Sequence, residues 1–363
     1  MTKFKKKILI ATGGTGGHVF PAYSLAKYLM NNSFSIKIIT DKRGYKFLKK
    51  YNELDLKIIN SDTFFKKNPI KTIFSIIKIF FAFIRSSIFL LKSKPTVIFG
   101  MGGYSCFPVC MAAKILKIPF IIYENNLFLG KTNKFLLPYA NKIFVSYGEL
   151  EGISNKYNSK KVEVGNILRE EIFYFKKGSF DIKKDIIDIL VLGGSQAARS
   201  FGEILPQIFK QCIKENIKIK VYQQCLPDQN DRIEKIYSSL KIEFELFHFK
   251  DNLLKYFSQI DLAITRAGSS MIAELLNCNI PFICVPYPYS ADNHQLKNAE
   301  YFKNKNYSFL VEEHEINSKL FPLIKSIHKD KDLLNEMKNK QNIHSDQLVF
   351  EKINKEIKKF IND

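Results

Sequence analysis

The sequence predicts an α/β protein built as two doubly wound domains, each a parallel sheet wrapped by helices, and three observations predict it. Short apolar runs rich in Ile, Val and Phe alternate with longer helical patterns along the chain, the mark of repeated βαβ units. At 363 residues the chain exceeds the roughly 250–300 residues at which a single core stops growing, so two domains are expected. Three strands also run straight into glycine turns, Gly13-Gly14-Thr15-Gly16-Gly17, Gly100-Met101-Gly102-Gly103 and Gly193-Gly194-Ser195. In open parallel sheets such turns, at the carboxyl ends of strands, are where ligands bind.

Each element follows in order. Lys3, Lys5, Lys6 and Lys7 precede the apolar run 8–11, which is shorter than the core of a signal peptide, so 7–12 reads as the first strand. Further strands are expected at 35–40, 56–60, 96–99, 120–123 and 142–145, with a short one at 162–164. The Gly165-Asn166 turn and the charged, strand-poor stretch 169–185 after it mark the boundary. The expected domains are therefore 1–165 and 166–345. The second half repeats the pattern with strands at 188–192, 218–222, 243–247, 262–265, 281–285 and 308–311. An amphipathic helix at 347–361, within the closing segment 346–363, is expected to pack back on the first domain.

Composition narrows the partners. Hydrophobic residues at 46% and charged residues at 25% exclude a disordered or low-complexity chain. Lys and Arg exceed Asp and Glu by 56 to 35, a net charge of +21, which suits phosphorylated substrates, acidic lipid or nucleic acid. The lysines are dispersed and no nucleic-acid module is recognisable, so nucleic acid is not an expected partner. The six cysteines, Cys106, Cys110, Cys212, Cys225, Cys278 and Cys284, form no C-x-x-C pair; neither zinc nor a disulfide framework is expected, and a reducing cytoplasm fits. No stretch offers about 20 uncharged apolar residues, so a spanning helix is not expected.

The loop Gly13 to Gly17 lets backbone amides approach an oxygen-rich ligand, and His18 follows it at the start of a helix. With an ordinary pKa of about 6.5, His18 suits a general base; donation to a nearby carbonyl is the competing reading. A dinucleotide fingerprint beginning at Gly14 needs glycine where Val19 stands. That spacing disfavours a nicotinamide enzyme, in which Asp41 would hold a ribose. Gly130-Lys131-Thr132 matches the end of a Walker loop, but Asn125 stands where its first glycine belongs. The Gly193-Gly194-Ser195-Gln196 turn, with Ser195 as N-cap, is a candidate pyrophosphate site that needs no metal. Glu274, one turn into the helix after Thr265-Arg266-Ala267-Gly268-Ser269-Ser270, can accept both hydroxyls of a ribose. Asp292-Asn293-His294-Gln295 is a polar cluster suited to a sugar.

In order along the chain, GGTGGHVFPA (13–22), GMGGYSCFP (100–108), ENNLFLGKTNK (124–134), VGNILR (164–169), GGSQAAR (193–199), TRAGSSMIAE (265–274) and DNHQLKNA (292–299) together resemble the MurG family of bacterial glycosyltransferases, glycosyltransferase family 28. The resemblance spans nearly the whole chain. It implies a GT-B fold, two Rossmann-like domains facing across a cleft. The N-terminal domain would serve the lipid acceptor and the C-terminal one UDP-N-acetylglucosamine. The implied reaction is inverting, metal-independent transfer of N-acetylglucosamine to the C4 hydroxyl of the MurNAc unit of undecaprenyl-pyrophosphoryl-MurNAc-pentapeptide. No cofactor is implied. A transferase acting on another lipid such as diacylglycerol is the alternative.

Carried onto matching positions, the resemblance makes His18 the catalytic base. Ser195 would contact the diphosphate, Glu274 the ribose, the backbone near Lys250 the uracil, and Arg169 would help hold the nucleotide. Thr15, Gly16, Gly17, Asn126, Ser269, Ser270, Met271, Ile272, Ala273, His294 and Gln295 would surround the donor, and Gly13, Gly14, Gly102, Gly103 and Tyr104 the acceptor. Five positions depart from the family pattern. Tyr123 and Asn125 replace a His and a Gln, Leu127 and Ala197 replace glycines, and Met271 stands where threonine is common.

Residues 68–92, NPIKTIFSIIKIFFAFIRSSIFLLK, place Lys71, Lys78, Arg85 and Lys92 seven apart, on one stripe of a helix that is otherwise almost wholly apolar. One side must be buried. With the net positive charge, Phe80, Phe81, Phe83 and Ile84 are expected to dip into an anionic membrane surface, with Lys78 and Arg85 beside them. Together with the lipid acceptor that the resemblance implies, this leads to the expectation of a peripheral protein on the cytoplasmic face of the inner membrane.

Overall fold

Each of the thirteen segments expected as strands forms one, because runs of β-branched and aromatic residues between turns fit a sheet covered on both faces. The structure, a computed structural model, describes residues 6–63, 69–175, 185–194, 198–250 and 252–362. The strands are β1 Lys7–Ala11, β2 Ser35–Thr40, β3 Leu56–Ile58, β4 Val97–Gly100, β5 Phe120–Glu124, β6 Lys142–Val145, β7 Lys161–Glu163, β8 Ile186–Leu192, β9 Lys218–Gln224, β10 Glu243–Phe247, β11 Leu262–Thr265, β12 Phe282–Cys284 and β13 Phe309–Leu310. They build two parallel sheets, ordered β3-β2-β1-β4-β5-β6-β7 and β10-β9-β8-β11-β12-β13. In each sheet the winding starts at a central strand, moves outward, then crosses back to the other side. The reversal lies between β1 and β4 in one sheet and between β8 and β11 in the other. Such a reversal leaves a crevice beyond the strand ends.

The chain divides into two compact units, Met1–Arg169 with Asp346–Asp363, and Glu170–Ser345. In the first, the central strands bury Leu9, Ile98, Ile122 and Val145 against Val109, Ala112 and Ala113 of helix Phe107–Ile115. In the second, Ile189, Val191, Val221 and Ile264 pack on Phe201, Leu205 and Phe209 of helix Ala198–Lys214. Each such Val, Leu, Ile or Phe side chain, fully buried, contributes about 1.5–3 kcal/mol. Helix Val349–Asn362 belongs to the first unit, where Phe350 stacks on Tyr28 with ring centroids 4.7 Å apart. Next to it, Asp346 accepts hydrogen bonds from the Asn166 amide nitrogen at 2.9 Å and from Asn166 Nδ2 at 3.0 Å, fastening both inter-unit passages of the chain to the first unit.

Helix Pro69–Ser93 is long and apolar enough, by length and composition alone, to cross a bilayer. It packs through one stripe, Ser75, Ile79, Ala82, Ser86 and Leu90, all buried. The opposite face, with Ile70, Phe74, Ile77, Phe81, Ile84, Ile88 and Leu91, is exposed. Phe83 departs from expectation. At about 100° per residue it lies beside the buried stripe and packs, partly buried, against the core, whereas Phe80 and Phe81 remain 58% and 56% exposed.

Candidate active site

The N-terminal cradle forms where β1, β4 and β5 end side by side. After β1 the chain turns at Gly13 and Gly14 and enters helix Gly16–Asn31, whose first turn carries His18. Thr12 Oγ1 donates to the His18 carbonyl at 3.0 Å and fixes that turn. Beyond β4, Gly103 adopts φ 74° and ψ 162°, a region almost closed to residues bearing a Cβ. The His18 ring lies against this backbone: a Cβ at 102 would sit 3.1 Å from His18 Cε1, and one at 103 would sit 3.3 Å from Cδ2. Past β5, Asn125 Nδ2 donates to the Gly17 carbonyl at 3.2 Å. The structure thus brings together Gly13 to Gly17, His18, Gly102, Gly103 and the 125–126 loop.

Two buried carboxylates organise this cradle, and sequence reasoning assigned neither to it. Asp41, at the end of β2, caps helix Lys42–Leu48 through the Gly44 amide at 2.7 Å. It also accepts from the Gly14 amide at 3.1 and 3.2 Å, from Tyr104 Oη at 2.8 Å and from Ser105 Oγ at 3.1 Å. With both oxygens so engaged, Asp41 has no place for a ribose, which removes the role a nicotinamide enzyme would need. Burial pushes its pKa up, but the hydrogen bonds from Gly44, Tyr104, Gly14 and Ser105 outweigh that and hold it below the ordinary value. The glycine at 13 is dictated by this packing, because a Cβ would lie 2.5 Å from Ser105 Oγ. Arg43, half exposed, donates to Tyr104 Oη and lies 5.2 Å from the centre of its ring.

Glu124, at the end of β5, is the second. Its Oε1 accepts from the Asn126 amide and Asn126 Nδ2, and its Oε2 from the Gly130 amide and Asn133 Nδ2, all within 3.1 Å. Asn126 is therefore held to its own loop, and it is Asn125 that reaches the Gly17 carbonyl. Tyr123, which stands where the family has histidine, has its hydroxyl 2.8 Å from Ser146 Oγ. That hydroxyl donates to the Gly165 carbonyl at 3.2 Å and accepts from the Ile167 amide at 3.1 Å. It joins β5 to the segment leading to Arg169. A carboxylate directly after an apolar strand, as at Asp41 and Glu124, was the readable signal.

The C-terminal cradle forms beyond β8, β11 and β12. Gly194 follows β8 with φ 72°; Ser195 lies outside the described residues. Gly268 is the N-cap of helix Ser269–Asn277, with φ −74° and nothing within 4 Å of where a Cβ would be. The fold itself makes no demand for glycine there. Ser270, Met271 and Glu274 are half-buried, whereas Ile272 and Ala273 are fully buried. The side chains of Ile272 and Ala273 therefore belong to the core, and the Ile272 amide donates to the Gly268 carbonyl at 3.1 Å. Lys250 is exposed just past β10. His294 Nδ1 lies 2.6 Å from the Ala291 carbonyl, and Gln295 Oε1 accepts from the Tyr287 amide at 2.9 Å.

Arg266, quoted in a motif but given no role from sequence, ties these loops together. Only 4% exposed, it donates to the carbonyls of Val285 and Pro286 at 3.3 Å, to Ser200 Oγ at 2.6 Å and to Glu313. Its guanidinium lies 4.5 Å from the Phe201 ring centre and 5.4 Å from that of Tyr287. Burial draws its pKa down and Glu313 opposes the shift; a guanidinium remains charged regardless. Asn298 Nδ2 donates to the Ala267 carbonyl at 3.1 Å, joining helix His294–Asn304 to the same turn. Among the described residues no cluster of three or more His, Cys, Asp or Glu is arranged to hold a metal.

Comparison with known proteins places this geometry. Models of the glycosyltransferase family 28 N-terminal and C-terminal domains match residues 8–145 and 188–356. A UDP-N-acetylglucosamine–N-acetylmuramyl-(pentapeptide) pyrophosphoryl-undecaprenol N-acetylglucosamine transferase of Pelagibacter ubique is 35% identical over 360 residues, 99% of either chain. A relative of the same description from Rickettsia felis is 35% identical over 326 residues, 86% of this chain and 88% of its own. Among solved structures, Acinetobacter baumannii MurG aligns with a TM-score of 0.78 at 24% identity, covering 98% of this chain and 99% of that one. The UDP complex of S. aureus MnaA aligns at 0.69 and 16%, over 98% and 97%. At such identities these two structures establish the fold alone.

Proposed function

This chain belongs to glycosyltransferase family 28, and from that premise we propose that it transfers N-acetylglucosamine from UDP-N-acetylglucosamine to the C4 hydroxyl of the MurNAc unit of undecaprenyl-pyrophosphoryl-MurNAc-pentapeptide, in peptidoglycan synthesis. One observation carries the reading: a relative of that described activity is alike along 99% of both chains. The relatives' descriptions name a muramyl acceptor, which disfavours diacylglycerol.

In this proposal the N-terminal unit takes the acceptor and the C-terminal unit the donor. His18 accepts the proton of the C4 hydroxyl; the oxygen bonds to the anomeric carbon as the bond to the β-phosphate oxygen breaks, and attack opposite the leaving UDP inverts the centre. The growing charge on the diphosphate meets amides at the starts of helices Ala198–Lys214 and Ser269–Asn277, with Ser195 and Arg169 assisting. A preorganised donor of this kind contributes roughly 3–4 kcal/mol in the transition state. Glu274 takes the ribose hydroxyls and the backbone near Lys250 the uracil. For the sugar, the N-terminal unit offers Thr15, Gly16, Gly17 and Asn126, and the C-terminal unit offers Ser269, Ser270, Met271, His294 and Gln295. Gly13, Gly14, Gly102, Gly103 and Tyr104 flank the acceptor.

The protein works at the cytoplasmic face of the inner membrane, held peripherally by the exposed face of helix Pro69–Ser93. Phe80, Phe81 and Ile84 supply apolar area, and Lys78 and Arg85 at its flank each add about 1 kcal/mol near anionic lipid. Anionic vesicles should retain the protein at low salt and release much of it at high salt; equal binding to neutral vesicles would refute the electrostatic part. The test of the function is incubation with UDP-N-acetylglucosamine and a short-chain muramyl-pentapeptide lipid in EDTA. Disaccharide product is expected, and its absence at any enzyme concentration refutes the activity.

A further inference from the structure

We infer that Asp41 is a positioning residue for acceptor-side catalysis: one buried carboxylate clamps both glycine turns of the N-terminal cradle and so sets where His18 stands. This rests on the reading of His18 as the base.

The geometry is specific. The first turn is held through the Gly14 amide, which donates to both carboxylate oxygens at 3.1 and 3.2 Å. The second is held through Tyr104 Oη at 2.8 Å and Ser105 Oγ at 3.1 Å. The Gly44 amide at 2.7 Å anchors the clamp to helix Lys42–Leu48. Gly14 lies 27 residues from Asp41 in the chain and Tyr104 and Ser105 more than 60, and the one carboxylate joins them to the helix it caps, with Arg43 adding a second link from that helix to Tyr104. His18 follows the first turn and its ring rests on the second, against Gly102 and Gly103. A carboxylate supplies four lone-pair directions without any donor. Asparagine of the same shape offers one acceptor oxygen and an NH2 group, which would face hydroxyls or amides that donate. Releasing the second turn from the first lets the imidazole lose the backbone surface it leans on. An error of about 1 Å in a reacting group costs on the order of 100-fold in rate.

The experiment compares the full-length wild type with Asp41→Asn and Ser105→Ala. It measures kcat, the KM for each substrate and the His18 Cε1–H resonance by NMR. Asp41→Asn should lower kcat on the lipid acceptor roughly 10- to 100-fold, leave the KM for UDP-N-acetylglucosamine within about twofold, and move the His18 resonance. Ser105→Ala, which removes one of the bonds, should shift both readouts the same way by less. A folded Asp41→Asn protein with kcat and the His18 resonance unchanged overturns the assignment, as does a fall in activity with the resonance unmoved. If Asp41→Asn fails to fold, Ser105→Ala decides by the same two readouts. If the wild type makes no product, the proposed function fails, and the resonance alone still decides whether Asp41 places His18.

Discussion

Replacing Gly103 by alanine tests the N-terminal cradle at its most constrained point. At φ 74° and ψ 162° a residue with a Cβ carries strain of about 1–3 kcal/mol. The new methyl would also lie 3.3 Å from His18 Cδ2 and 3.6 Å from Nε2, so the ring must retreat by a few tenths of an ångström. The chain can absorb both, since a contact of that length yields without rebuilding the core. For a unit of this size the strain lowers the melting temperature by about 2–12 °C. The displaced base should lower kcat roughly 10- to 100-fold. The assay pairs a thermal melt with steady-state transfer to a soluble acceptor, donor and acceptor varied separately. Full kcat in a Gly103→Ala protein that melts several degrees lower would refute the placement of His18 against this turn, because the strain would be present without the predicted chemical cost.

Further outcomes follow from the same geometry. Gly268→Ala should leave stability within about 0.5 kcal/mol, because its φ is ordinary and its surroundings empty, yet raise the KM for UDP-N-acetylglucosamine several-fold; an unchanged KM means no ligand passes over that helix start. Glu313→Gln should cost about 1.5–3 kcal/mol in urea unfolding of the C-terminal unit, since it takes the carboxylate from Arg266, and a loss under about 0.5 kcal/mol would show that the carbonyls of Val285 and Pro286 suffice. For Asp41 the folded pKa lies below the ordinary 3.8, so its contribution is complete above that value and is lost as pH falls through the lower, folded one. The stability gap between wild type and Asp41→Asn should therefore stay constant above about pH 5 and narrow in stronger acid; a gap that widens there contradicts the sign.

The thirteen strands were legible because apolar runs such as Ile8 to Ala11 and Leu262 to Ile264 must be buried wherever they lie, and the glycine turns because Gly14, Gly102, Gly103 and Gly194 sit at positive φ, which residues with a Cβ adopt at a cost. Strand ends moved by at most two residues, as at Leu56–Ile58, where pairing with β2 stops before the apolar run does. What the hubs bind was not legible. The place of Asp41 after an apolar strand marks it out, but its partners Gly14 and Ser105 lie far away in sequence and meet it only in the fold, and Arg266 shows its role only once Phe201 and Tyr287 enclose it. Ile272 and Ala273 were drawn into the site by their place in a motif, but a helix turns two of every four residues toward its core, and theirs are those. Phe83 was grouped with Phe80 and Phe81 by composition, and the 100° step separates it.

The N-terminal unit is interrupted in the chain by the whole of residues 170–345 and is completed only by helix Val349–Asn362. During synthesis the inserted unit, contiguous in sequence, has all its strands before the outer one has its last helix. Until Phe350 reaches Tyr28, the nascent first unit waits with that ring uncovered. A stop codon a few dozen bases early would thus injure the half of the protein made first.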